Sequence, residues 1–155
     1  KIKSVSNIGI PLEVFSSDAK FKNLFLDIGL MNRLMKIDYN EALDYKNLLG
    51  IYRGQLAEQF VGQEFAAATG NQLYYWARDA KNSDAEVDYL VMQQGVIYPV
   101  EVKDGPSGKL RSLHLYRANF QPPWSVVFNA GQYTVLENER IIFLPLYFAG
   151  SFAPH

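Results

Sequence analysis

A chain of 155 residues is long enough for one domain with its own core and too short for two ordinary enzyme domains and a linker. Hydrophobic residues at 48% and charged residues at 20% exclude an intrinsically disordered chain. The lack of cysteine excludes disulfides, thiolate nucleophiles and sulfur-ligated zinc, and a formal net charge of -1 excludes a global field that would draw the chain onto polyanions.

The longest unbroken apolar run, Leu73 to Ala77, is five residues, against the roughly twenty that a membrane-spanning helix needs, and no secretory signal is visible. The expected home is the cytoplasm, with no membrane partner. The start at Lys1 leads us to expect a C-terminal piece of a longer protein. His114 and the terminal His155 are the only histidines, so imidazole metal sites and Ser-His-Asp triads are poorly supported. Carboxylate, lysine and hard-metal chemistry remain.

In chain order, Lys1 to Ser6 and Ile10 to Phe15, joined by a turn at Asn7 to Gly9, predict a hairpin whose partner strands lie upstream. Lys20 to Met35, with N-cap candidates at Ser17 and Asp18, carries Phe21, Leu24, Phe25, Ile28, Met31 and Leu34 at helical spacing and predicts one or two amphipathic helices. A polar connector, Asp38 to Lys46, follows. A helix from about Ile51 to Thr69 should stop at Gly70-Asn71 and bury Leu56, Phe60, Val61 and Phe65, with Phe60 the most important. Leu73 to Ala77, Val87 to Met92 and Val96 to Lys103 read as strands of an antiparallel meander. Gly105-Pro106-Ser107-Gly108 breaks the chain before a helix at Lys109 to Ala118. Strands at Trp124 to Phe128 and Tyr133 to Leu136, and an apolar segment from Ile141 to Phe148 interrupted by Pro145, complete a mixed α/β (α+β) fold in which a sheet packs on helices. The division expected is 1–49 as an N-terminal hairpin and helices, 50–150 as the main domain and 151–155 as a tail.

Along Val96 to Lys103 the side chains alternate, so Tyr98, Val100 and Val102 share one face and Glu101 and Lys103 the other. A short turn at Gly95 brings Asp88 beside Glu101. Two carboxylates and a lysine can then converge, and the preceding helix offers Glu58 or Glu64 as a third carboxylate. An acidic-x-Lys pair alone is commonly a solvated ion pair contributing roughly 0.2 to 1 kcal/mol. The convergence with Asp88 and a helical glutamate raises it above that.

Asp88, twelve intervening residues, then Glu101-Val102-Lys103, preceded by a helical glutamate, resembles the PD-(D/E)XK nuclease superfamily over roughly Gly54 to Asn129. Phe25 to Leu30, Gly54 to Val61, Tyr74-Tyr75-Trp76, Glu86 to Leu90 and Val100 to Lys103 together resemble the uncharacterised C-terminal domain of many prokaryotic AAA-type ATPases. That likeness implies a nuclease-like core (helix, three strands, helix, strand). It also implies an upstream ATPase partner, with residues 1–49 as the tail of a preceding winged-helix segment and the ATPase as a route to oligomers.

The resemblance further implies that Asp88, Glu101, Lys103 and a helical carboxylate, Glu58 with Glu64 as the alternative, form the catalytic set. Asp88 and Glu101 would hold Mg²⁺ or Mn²⁺. Lys103 would orient water, or accept its proton if its pKa were lowered. Val87 stands where many members of the superfamily have proline.

Lys109, Arg111 and Arg117 can contact a phosphate backbone, although a solvated helix face explains them equally well. Tyr74, Tyr75 and Trp76 are expected in the core rather than stacked on bases, and His114 is expected to be a partly buried helix residue. No glycine-rich phosphate loop is present, so ATP is not expected to bind here. Two functions follow: a binding or regulatory module of the ATPase, DNA-related, favoured by the near-zero net charge; or an active Mg²⁺-dependent DNA endo- or exonuclease, favoured by the intact Asp88, Glu101 and Lys103 set.

Overall fold

The computed structural model describes residues 1–36, 49–70, 72–79, 84–105 and 109–152. The expected connector at Asp38 to Lys46, the Asn71 half of the helix stop, Pro106 to Gly108 and the terminal His155 lie outside these residues. The architecture is mixed α/β: one eight-stranded mixed sheet flanked by helices. Its strands are β1 (Ile2–Val5), β2 (Ser16–Lys22), β3 (Leu73–Ala77), β4 (Glu86–Gln93), β5 (Val96–Val102), β6 (Ser125–Asn129), β7 (Thr134–Leu136) and β8 (Ile141–Pro145). They run in the order β2-β1-β3-β4-β5-β6-β8-β7. The helices among the described residues are α1 (Ile28–Leu34), α2 (Leu49–Thr69), α3 (Arg111–Phe120) and the short α4 (Ala149–Phe152).

The meander β3-β4-β5 is antiparallel, as its short connections require. Gln94 and Gly95 both have positive φ (49° and 77°), the backbone of a tight two-residue hairpin turn, and register then runs from Gln93↔Val96 to Tyr89↔Val100. α3 carries the chain back so that β6 lies parallel to β5, and β6 is buried along its whole length between β5 and β8. The order from α2 onward is therefore helix, three strands, helix, strand.

The N-terminal expectations need correction. Only β1 of the predicted hairpin forms as read. Leu12–Phe15 is a 3-10 turn, and the strand that returns against β1 is β2, Ser16–Lys22. β1 finds its second partner downstream rather than upstream, pairing parallel with β3. The predicted helix over Lys20 to Met35 shrinks to α1, capped not by Ser17 or Asp18 but by Asp27, whose side chain accepts from the Leu30 N–H at 3.0 Å.

Helices cover the sheet on both sides. α2 packs Val61 and Phe65, both fully buried, against Tyr75, Tyr89, Val100 and Phe128. Phe65, meeting Tyr89 and Phe128 edge-on at 5.4 and 5.9 Å, is the anchor in place of Phe60, which with Leu56 is only half-buried. On the opposite side, Leu113 and Tyr116 of α3 pack with Trp76, Val87, Leu90 and Val127. Leu110 packs against this cluster as well, whereas His114, expected to be partly buried, is exposed. Tyr75 and Trp76 belong to the core, with Tyr74 partly buried beside it.

Candidate functional site

Between Tyr74↔Leu90 and Trp76↔Val87, strand β3 has one residue, Tyr75, where β4 has two, Asp88 and Tyr89. That extra residue is a β-bulge, which interrupts alternation and re-aims a side chain. Val87 and Leu90 consequently pack in the same core cluster, and Asp88 leaves the regular ladder. Its carboxylate takes a ladder position instead: the Val102 N–H, pointing towards β4, donates to Asp88 Oδ2 at 2.8 Å. The next amide, Lys103 N–H, points the other way and donates to Phe128 O on β6. Asp88 is thus tied to the acidic-x-Lys segment through its central residue.

Glu101 is buried, 5% exposed, and one of its oxygens, Oε1, pairs with Lys103 Nζ at 2.5 Å. The other, Oε2, is buried with no hydrogen-bond partner among the described residues. Burial, then Glu101, then Glu58 raise the Asp88 pKa well above the usual carboxylate range. Burial also raises Glu101, although Lys103 partly offsets it. For Lys103, burial works downward but the Glu101 carboxylate outweighs it, so its pKa is raised and it remains an ammonium. The lowered pKa that a proton-accepting Lys103 requires is not what these surroundings produce.

The structure separates the two helical glutamates. Glu58 faces the Asp88 end of the sheet, with its backbone carbonyl accepting from Tyr89 Oη–H at 2.8 Å and its carboxylate 2.8 Å from Lys22 Nζ. Glu64 lies against α4, where a Cβ on Gly150 would come within 2.5 Å of its Oε2. Lys22 was missed in the sequence, where its segment reads as helix. From the end of β2 it reaches Glu58, Glu86 and, at 3.9 Å, Asp88, with Nζ 5.0 Å from the Tyr75 ring centroid. Burial lowers its pKa and the carboxylates of Glu58 and Asp88 more than reverse this, leaving it above the ordinary lysine range.

Gln59 fixes the approach of the N-terminal segment to α2. Its amide accepts from Phe25 N–H at 3.0 Å and donates to Phe25 O at 2.7 Å, while Gln63, one turn on, donates to Leu26 O. A cleft of about 330 Å³, lined in part by Leu24, Phe25, Met31 and Gln55, opens beside Lys22 and Glu58.

Oxygen donors of this kind have the right chemistry for Mg²⁺. In this arrangement, however, they do not fit a divalent ion: the Lys22 ammonium stands among Glu58, Glu86 and Asp88, and Lys103 takes Glu101. Among the described residues no group of three or more His, Asp or Glu side chains is set to hold a metal.

The phosphate-contact candidates divide. Lys109 and Arg111 are exposed at the start of α3. Arg117 is engaged internally, donating to Ser125 Oγ at 2.6 Å and to Arg140 O at 3.2 Å. No helix of the described residues is long and apolar enough to cross a membrane.

The fold and this acidic-lysine cluster define a mixed α/β domain with a polar site at a bulged strand. The family described as a domain of unknown function, DUF4143, matches residues 53–148, and the chain belongs to that family. No curated protein and no solved structure matches it. Glu58, Asp88, Glu101 and Lys103 fall inside the matched residues, and Lys22 falls outside them.

Proposed function

We propose that this chain is the nuclease-like C-terminal domain of an AAA-type ATPase and serves it as a binding or regulatory module in a DNA-related task. The observation that carries this is the internal pairing of the site's charged groups. Asp88 accepts from Val102 N–H, Glu101 pairs with Lys103, and Glu58 pairs with Lys22. Polar groups gathered near a strand bulge and held by the protein's own cations provide a rigid, specific feature without being poised for chemistry. The raised pKa of Lys103 further opposes proton transfer at neutral pH, and a net charge of -1 is poorly matched to a free-standing nuclease.

An active Mg²⁺- or Mn²⁺-dependent DNA endo- or exonuclease is the alternative, favoured by one specific observation: the buried Oε2 of Glu101, which has no partner among the described residues. A buried acceptor without a donor costs roughly 1–3 kcal/mol, and such groups often have a functional reason.

The deciding experiment incubates the chain with single-stranded, double-stranded and branched DNA and either cation, beside Asp88→Ala. In parallel, ATP turnover by the upstream ATPase is measured with and without this domain. We expect no cleavage, and ATP turnover or its DNA dependence that changes when the domain is removed. Cleavage lost in Asp88→Ala would establish the nuclease instead.

A further inference from the structure

Lys22 is the last residue of β2, a strand with a neighbour on one side only among the described residues. Its side chain reaches inward past Tyr75 and ends among carboxylates from two elements: Glu58 of α2 at 2.8 Å, and Glu86 and Asp88 of β4, the latter at 3.9 Å. Three carboxylates gathered this closely repel one another unless a cation lies between them. A second observation lies alongside. Glu101 Oε2 is buried without a hydrogen-bond partner among the described residues, and the charges of Glu58 and Lys22 both act on the Glu101 carboxylate.

We infer that Lys22 is a tethered stand-in for a divalent cation: its ammonium fills the place where Glu58, Glu86 and Asp88 would otherwise hold a metal ion, closing the site to metal while β2 is docked. This deepens the proposed reading of the site and rests on it. An ammonium donates hydrogen bonds to carboxylates at roughly 2.7–2.9 Å, whereas Mg²⁺ draws oxygens to about 2.0–2.1 Å, so the two cannot share the position. The lysine brings one positive charge to three carboxylates, so a divalent ion would neutralise more of the cluster once Lys22 leaves. The closing residue belongs to a segment outside the family-matched residues. An edge strand paired on one side is also the part of a sheet that separates with the fewest lost hydrogen bonds. Release of the end of β2, by a partner or by the attached ATPase, would therefore expose the cation position.

The test uses this chain with Lys22→Met, Lys22→Gln and the charge-keeping Lys22→Arg. Mn²⁺ binding is read by calorimetry and by loss of the free-ion electron-spin signal. Lys22→Met and Lys22→Gln should bind one Mn²⁺ about tenfold or more tighter than wild type and Lys22→Arg, and adding Asp88→Asn should remove the gain. If either neutral variant is unfolded alone, saturating Mn²⁺ should restore its native circular dichroism while matched NaCl does not. Equal affinity in wild type and Lys22→Met, a gain that survives Asp88→Asn, or variants left unfolded with Mn²⁺ present would each overturn the assignment. Failure of the module reading looks different: it is DNA cleavage by the unaltered chain, whatever Lys22→Met binds.

Discussion

On the α3 side of the sheet, Trp76 meets Tyr116 and Phe120 edge-on at 5.4 and 6.0 Å, and its indole N–H is satisfied by Ser6 O at 3.2 Å. The α2 side has a comparable aromatic centre in Phe65, Tyr89, Phe128 and Phe152, yet at the β4 bulge it gives way to Glu58, Glu86, Asp88 and Lys22. The same strands serve both sides, so the contrast does not come from strand composition alone. One extra residue in β4 turns Asp88 out of the ladder, and the segment clamped by Gln59 leads from β2, which brings a lysine to meet it. Apolar packing stabilises the domain on both sides, and polar specificity is confined to the bulged end of one.

The largest way to sharpen that contrast is Phe65→Ala. The ring is fully buried between Tyr89 and Phe128, and its removal should cost about 3–5 kcal/mol in urea unfolding. Phe60→Ala, on the same helix but half-buried, should cost about 1–2 kcal/mol, which distinguishes the observed α2 face from one centred on Phe60.

Asp88→Asn should move stability the other way. The folded pKa of Asp88 is raised, so the native state holds a proton that the unfolded chain has released between the ordinary carboxylate pKa and the higher folded value. Stability from this group is greatest below that window and falls as pH rises through it. An asparagine can still accept from Val102 N–H without the buried charge, so the variant should gain about 1 kcal/mol or more at neutral pH. It should also flatten the downward slope in a series of urea midpoints from pH 4 to 8, leaving the part that comes from Glu101, whose pKa burial also raises. An unchanged slope would show that Asp88 is not the buried titrating group.

The smallest effect is expected at Lys109, which is exposed beyond both cores. Lys109→Ala should change stability by less than about 0.5 kcal/mol. If the domain contacts DNA through the start of α3, the same variant should lower the slope of log affinity against log salt by about one. Arg117→Ala should leave that slope unchanged, because its guanidinium is already engaged by Ser125 and Arg140.

Periodicity alone made the centre of the chain legible. α2, the β3-β4-β5 meander, α3 and β6 all alternate or repeat at their own period, because each has one or two faces that must be buried. The acidic-x-Lys segment, with Asp88 beside it, was readable for the same reason: a short turn permits little freedom in register. β2 was not readable. Ser16–Lys22 is largely exposed at the edge of the sheet, so nothing selects a period of two, and the apolar residues after it imitate a helix face. α1 begins only where Asp27 caps it. The choice between Glu58 and Glu64 also lay beyond a single helix, since it depends on which turn of α2 lies over the bulge and which meets α4.

Local sequence therefore determined the element types of the central segments and the neighbours Asp88, Glu101 and Lys103, because burial patterns and turn geometry act over a few residues. Only the tertiary structure decided that β1 joins β3, that β4 bulges at Asp88, that Arg117 is spent internally and that Lys22 closes the carboxylate cluster. Each of these depends on pairing or charge contact between segments distant in the chain, and a charged side chain's partner is set by where the backbone brings it rather than by its neighbours in sequence.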